Sequence, residues 1–129
     1  MAEALLRSKV PASSDTVIGS AGIAALVGEP ADPEAIRLMQ ERDLDITDHR
    51  ARQANPELVM NADLIMVMEQ AHVQPLYSIS PSTRGKVHTL GKWDGMEIPD
   101  PYRKSPEYFE YVLGLIEQGV DAWSAKLWR

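Results

Sequence analysis

The 129-residue chain contains 44% hydrophobic and 25% charged residues, which predicts one globular domain over residues 1–129 because this apolar content can offset the entropy lost on folding. Its formal net charge of -6 argues against general nucleic-acid binding, and no apolar run approaches the roughly 20 residues that span a bilayer, so we expect a cytoplasmic protein with no membrane segment. The chain has no cysteine, which excludes disulfides, thiolate metal sites and a cysteine nucleophile within these residues.

The first half of the chain predicts a helix, a strand and a second helix. MAEALLRSKV is rich in helix formers from its first residues, yet no Ser, Thr, Asp or Asn stands before it as a cap. DTVIGSAGI, at Asp15–Ile23, predicts a strand that ends in a turn of glycine and serine. The next helix has Asp32 as its cap and Pro33 at its first position.

The second half of the chain predicts two further strands among helices. Asn55 opens a short helix, and the continuous apolar run Leu64–Met68 is typical of a central strand covered on both faces. KVHTL, at Lys86–Leu90, predicts the third strand, and a long final helix covers residues 106–127. This alternation of strands and helices favours an α/β fold with a parallel sheet and helices on both faces.

The stretch IPDPYRKS is the richest candidate for chemistry. Asp100 lies between two prolines, which hold its backbone extended and would aim its carboxylate. The alternative is an aspartate in an ordinary proline-rich surface turn. Tyr102 could form an aromatic pocket wall or pack under the loop, and its spacing does not distinguish these two interpretations.

Other polar residues give weaker signals. Ser20 lies in GSAGIAALVG, which matches neither common nucleotide-binding glycine motif and favours a tight strand exit. His49 could be a general base or a metal ligand, although a histidine hydrogen-bonded within its loop is the simpler interpretation. His72 and His88 stand singly, without the spacing of a zinc site. We therefore expect no metal and no cofactor.

Five blocks, taken together, resemble one family. SAGIAALVGEPADPEAI, DITDHRARQ, ADLIMVMEQAH, RGKVHTLGKWD and IPDPYRKS occur in the order and spacing of the low-molecular-weight protein-tyrosine phosphatases, especially their bacterial branch. The resemblance covers essentially the whole chain. It implies a doubly wound, three-layer α/β/α fold, and metal-free hydrolysis of phosphotyrosine through a cysteinyl-phosphate intermediate.

The resemblance also implies roles for individual residues. Asp100 corresponds to the general acid that protonates the leaving tyrosyl oxygen. Tyr102 corresponds to one wall of the substrate slot, and Leu26 to the opposite, variable wall. Ser20 and His49 correspond to polar residues that support the phosphate-binding loop. The implied partner is a phosphotyrosine protein, with bacterial tyrosine kinases among the candidates.

The chain departs from the family at the nucleophile. Between its first strand and its first helix, the family carries a signature that consists of a cysteine, five further residues, an arginine, and then a serine or threonine. This sequence contains no cysteine. We therefore expect a phosphatase domain truncated just before MAEALL. By the family's strand order, the absent strand would lie between Asp15–Gly19 and Leu64–Met68.

Without the nucleophile and its loop, the 129 residues are expected to have no appreciable phosphatase activity. A general acid alone contributes only about 10² to 10⁴-fold, whereas phosphate esters need a far larger acceleration. Two alternatives stay open. One is a non-catalytic relative, or relic, that binds phosphotyrosine or a partner protein. The other is an arsenate reductase-like protein on the same fold, although such enzymes also need cysteines.

Overall fold

The computed structural model describes residues 1–128, within which helices form most of the regular structure. Three single-turn 3₁₀ helices lie at Gln70–His72, Pro81–Thr83 and Lys92–Asp94. None of the helices in these residues is long and apolar enough to cross a membrane. The α-helices are α1 (Ala2–Lys9), α2 (Pro33–Gln40), α3 (Pro56–Asn61), α4 (Val73–Ile79) and α5 (Pro106–Leu127), and the strands are β1 (Ile65–Val67) and β2 (Val87–Thr89).

Helices α2 and α3 begin directly after the capping residues that the sequence predicts. The Asp32 side chain accepts a hydrogen bond from the backbone N–H of Glu34 at the start of α2, and Asn55 accepts one from Leu58 at the start of α3. These bonds satisfy amide groups that a helix cannot pair internally. Helix α1, by contrast, begins after Met1 without any side-chain cap, as the sequence predicts.

The sheet in the described residues consists of β1 and β2. They pair in parallel, with Ile65 opposite Val87 and Val67 opposite Thr89. The predicted strands at 64–68 and 86–90 are therefore confirmed in type and position, though both are shorter. A parallel pair needs a long crossover connection, and here the crossover contains α4.

The predicted strand at Asp15–Ile23 is wrong. Residues 14–20 have no regular secondary structure, and Gly22 makes only an isolated bridge to Gln53. A strand forms only where a neighbouring strand accepts and donates its backbone hydrogen bonds. This segment is held instead by side chains, since Arg7 of α1 donates to the carbonyl oxygen of Ile18. The exposed fraction of Val17 is 92%.

Two apolar clusters cover the two faces of the sheet. The larger joins α1, α2 and α5, and the partly buried side chains of Leu64, Met66 and Met68 pack against it. The smaller forms around Val59, Val67 and Leu76 of α3, β1 and α4. This arrangement confirms the α/β class with helices on both faces, and it explains why the sequence around β1 is apolar without alternation.

Candidate active site

A cleft of about 860 Å³ opens beyond the carboxyl end of β1, where Met68 lines it. Open α/β sheets commonly bind their ligands at this edge. Four of the five predicted site residues line the cleft, although they come from three separate loops. They are Ser20, His49, Asp100 and Tyr102.

The loop that carries Asp100 is a rigid turn. One carboxylate oxygen of Asp100 accepts the backbone N–H of Tyr102 at 3.0 Å, and the carbonyl oxygen of Pro101 accepts the N–H of Lys104 at 2.9 Å. Both bonds turn the chain back immediately after Pro101. Asp100 is thus a proline-flanked turn residue, and it also lines the cleft with its side chain exposed.

Tyr102 lies on the surface of the cleft rather than under the loop. Its exposed fraction is 48%, and the guanidinium carbon of Arg103 lies 5.2 Å from the centre of the Tyr102 ring. Arg103 has a positive φ of 61°, a conformation that non-glycine residues adopt uncommonly. An aromatic face beside a carboxylate is suited to contact an aryl group of a ligand.

Ser20 is hydrogen-bonded to a residue that sequence reasoning missed. Its hydroxyl donates to a carboxylate oxygen of Glu3 at 2.5 Å, and the other oxygen of Glu3 pairs with Arg7 at 2.9 Å. Burial alone would raise the pKa of Glu3, but the Ser20 hydroxyl, Arg7 and His49 together bring that pKa below its usual value. The sequence does contain one signal for Glu3, because it is an acidic residue in the first turn of a helix without a side-chain cap.

His49 lies half-buried at the end of a compact turn. Its backbone N–H donates to the carbonyl oxygen of Ile46, and the neighbouring Asp45 accepts both the N–H and the hydroxyl of Thr47. These two hydrogen bonds lower the pKa of Asp45. His49 and Ser20 also line a smaller adjoining cavity of about 240 Å³.

Leu26 does not line either cavity. It lies in a loop that is fixed to residues 50–54, because the Gln53 side chain accepts from the N–H of Ala25 and donates to the carbonyl oxygen of Ile23. The exposed fraction is 60% for Leu26 and 68% for the adjacent Val27. This loop presents two apolar side chains to solvent near Ser20, outside the cleft itself.

The cleft is strongly acidic. Six carboxylates line it, and the basic lining groups in the described chain are the Arg7 guanidinium, the N-terminal amine and two histidines. Arg7 is already engaged by Glu3 and by the Ile18 carbonyl oxygen, and burial lowers the pKa of the N-terminal amine. Across residues 1–128, no three His, Asp or Glu side chains are grouped to hold a metal ion. The six carboxylates are Glu3, Asp32, Asp45, Asp48, Glu69 and Asp100.

Comparison with known proteins identifies relatives along the whole chain. Residues 1–129 match the family described as low molecular weight phosphotyrosine protein phosphatase. The chain is 46% identical over 127 residues to the probable low molecular weight protein-tyrosine-phosphatase EpsP of Ralstonia nicotianae, covering 98% of this chain and 86% of that protein. It is 44% identical to the low molecular weight protein-tyrosine-phosphatase Wzb of Escherichia coli, covering 98% and 84%.

A solved structure supports the same relationship. The chain superimposes on Vibrio vulnificus Wzb, determined in complex with benzylphosphonate, with a TM-score of 0.91 and 40% identity. The match covers 98% of this chain and 88% of that one. The α/β fold implied by the resemblance is therefore confirmed.

Proposed function

Because the chain belongs to the low molecular weight phosphotyrosine protein phosphatase family, we propose that its cleft, when completed by the Cys-x5-Arg loop of that family, receives phosphotyrosine side chains of proteins. The observation that carries this proposal is the convergence of Ser20, His49, Asp100 and Tyr102 on one cleft. Tyr102 would contact one face of the substrate ring. Leu26 lies outside the cleft on its own loop. It would contact the opposite side of the substrate, where the substrate extends beyond the cleft.

The proposed reaction proceeds in two steps. A cysteine thiolate attacks phosphorus and the bond to the tyrosyl oxygen breaks, while Asp100 donates a proton to that oxygen. Water then attacks the cysteinyl phosphate, the Asp100 carboxylate takes a proton from the water, and phosphate leaves with the thiolate restored. General acid-base transfer of this kind is worth about 10² to 10⁴-fold. Ser20 and His49 would support the loop that binds the phosphate.

The thiolate does not occur among these 129 residues. We propose that this polypeptide alone does not turn over phosphotyrosine, because the nucleophile and the groups that stabilise the transition-state charge act together. The acidic lining supports the proposal. A phosphate dianion that enters the cleft meets six carboxylates and a single arginine that already has partners.

The family also indicates the partners and the location of the protein. The substrates would be phosphotyrosine proteins, with bacterial tyrosine kinases as candidates, in the cytoplasm. A non-catalytic phosphotyrosine-binding role is less well supported, because the same carboxylates oppose an anion. An arsenate reductase-like role would also require cysteine chemistry, and the relatives described above are named as protein-tyrosine phosphatases.

The test uses two proteins. The 129-residue chain should give no turnover of p-nitrophenyl phosphate or of a phosphotyrosine peptide above the uncatalysed rate. A chimera that carries the strand and Cys-x5-Arg loop of a relative before Met1 should turn over both. In the chimera, Asp100→Asn should lower kcat for the phosphotyrosine peptide about 10² to 10⁴-fold, with less effect on an ester whose leaving group needs no proton.

Asp94→Asn is a matched control, because Asp94 is exposed and does not line the cleft. Turnover by the 129-residue chain that disappears in Asp100→Asn would contradict the proposed inactivity. A chimera whose kcat is unaffected by Asp100→Asn would contradict the role of Asp100 as general acid.

A further inference from the structure

A basic and aromatic patch lies outside the cleft, where the 3₁₀ turn Lys92–Asp94 packs against the carboxyl-terminal part of α5. The patch, called here the Trp93 patch, consists of Lys92, Trp93 and Lys126. Trp93 is 43% exposed, and both lysines are exposed. None of the three residues lines the cleft or its adjoining cavity. The patch is therefore separate from the site described above.

The Trp93 ring is held in a defined position. It packs edge-on against the buried ring of Trp123, with 5.4 Å between the ring centres and 70° between the ring planes. The indole N–H of Trp123 donates in turn to the carbonyl oxygen of Thr89 at 3.3 Å. The turn itself is closed by the N–H of Met96, which donates to the carbonyl oxygen of Gly91 at 3.1 Å. A side chain that is already ordered loses little conformational entropy when a partner binds to it.

Two ammonium groups stand beside this one ring. The Nζ atom of Lys92 lies 4.8 Å from the centre of the Trp93 ring, and the Nζ atom of Lys126 lies 4.9 Å from it. Both distances are within the range of a cation–π contact. In the part of the chain that the structure describes, neither ammonium forms a salt bridge with a carboxylate. Both can therefore accept an anionic partner from outside.

The groups next to the lysines leave the patch locally positive. The ammonium of Lys92 lies 3.1 Å from Nδ1 of His88. Burial, and then the charge of Lys92, lower the pKa of His88, so this ring is uncharged at neutral pH and can accept the hydrogen bond. The acidic residue of the turn is Asp94, a single exposed carboxylate beside the two ammonium groups. This local sign is opposite to the formal net charge of -6 of the whole chain.

We propose that the Trp93 patch binds an acidic segment of a partner protein, in which two carboxylates flank an apolar side chain. The apolar side chain would cover the exposed part of the indole, and the carboxylates would accept charge-assisted hydrogen bonds from Lys92 and Lys126. Tryptophan is enriched among the residues that dominate binding at protein interfaces. A nucleic acid or an anionic bilayer fits less well, because each is bound through larger clusters of basic residues and the chain as a whole is acidic.

The experiment uses the 129-residue chain and a fluorescent peptide with the core Glu-Gly-Leu-Gly-Glu. In an extended peptide the three side chains of this core project from one face, with leucine between the two glutamates. Fluorescence anisotropy measures binding, and the NMR signal of the Trp93 indole N–H reports where the peptide binds. We expect saturable binding that shifts this signal. A peptide with glutamine in place of both glutamates should bind about ten-fold more weakly.

Variants of the chain test the two parts of the patch. Lys126→Gln should weaken peptide binding about three-fold, and Trp93→Ala about ten-fold, with circular dichroism as the check that each variant is folded. Lys104→Gln is the matched control, because it removes the charge of an exposed loop lysine outside the patch, and it should leave binding unchanged.

Three outcomes would overturn the proposal. They are the absence of saturable binding at millimolar peptide, equal binding of the glutamine peptide, and unchanged binding by Lys126→Gln. Tighter binding of single-stranded DNA or of phosphatidylserine vesicles than of the acidic peptide would assign the patch to a different class of partner and would overturn it as well. Phosphatase activity has no part in any of these measurements.

Discussion

Lys86 connects the sheet to the end of α3, and its replacement by methionine should destabilise the fold. The ammonium of Lys86 donates to three carbonyl oxygens, those of Val59 at 2.8 Å, Met60 at 3.2 Å and Ala62 at 2.7 Å. The last turn of α3 contains no basic residue of its own. Lys86 therefore satisfies helix-end carbonyl groups from 24 to 27 residues away in the chain.

The expected loss is about 2 to 3 kcal/mol in the free energy of unfolding. Hydrogen bonds that involve a charged group contribute about 1.5 to 3 kcal/mol, and a cation at a helix carboxyl end adds about 0.3 to 1 kcal/mol. The three bonds share one partly exposed ammonium, so their contributions do not add in full. For a domain of this size, the loss corresponds to a decrease in Tm of roughly 10 °C.

Urea unfolding followed by circular dichroism at 222 nm measures this loss. Lys86→Met keeps most of the apolar stem and removes the ammonium. Lys104→Met is the matched control, because it removes a charge from an exposed loop lysine and should change the free energy of unfolding by less than about 0.5 kcal/mol. If both variants are equally stable, the three hydrogen bonds of Lys86 do not stabilise the fold and the reasoning is refuted.

Three other substitutions have defined outcomes. Gly91→Ala places a Cβ 2.1 Å from the carbonyl oxygen of Met96 and should cost about 1 to 3 kcal/mol in urea unfolding. Gly114→Ala meets nothing within 4 Å in α5 and should instead stabilise by about 0.5 to 1 kcal/mol. The lowered pKa of Glu3 means that its ionised form stabilises the fold above the unfolded-state pKa, and this contribution is lost as pH falls through the folded-state pKa. The Tm difference between wild type and Glu3→Gln should therefore be largest near neutral pH and vanish in acid.

The helices could be predicted from the sequence because their signals are local. Asp32 and Asn55 each bond an amide two or three residues ahead, and Ser105 does the same at the start of α5. The predicted final helix, 106–127, has the observed bounds. A capping side chain and the apolar stripe that follows it are both visible in a short window of sequence.

The site could be predicted only in part. The turn at Asp100 follows from its flanking prolines, whereas the roles of the other candidate residues, and Leu26 as a candidate, came from the resemblance. The pairing of Ser20 with Glu3 joins residues 17 positions apart, and no periodicity connects them. The acidity of the cleft likewise depends on carboxylates that separate loops bring together.

The wrong strand at Asp15–Ile23 and the open edge of β1 have the same physical origin. DTVIG has the β-branched residues of a strand, but those residues favour strands mainly through contacts with a neighbouring strand. Neither residues 14–20 nor the second edge of β1 has such a neighbour in the described part of the chain. Val17 therefore remains exposed, and Met66 remains partly buried. The β-branched residues of this segment therefore form a strand only where a neighbouring strand pairs with them.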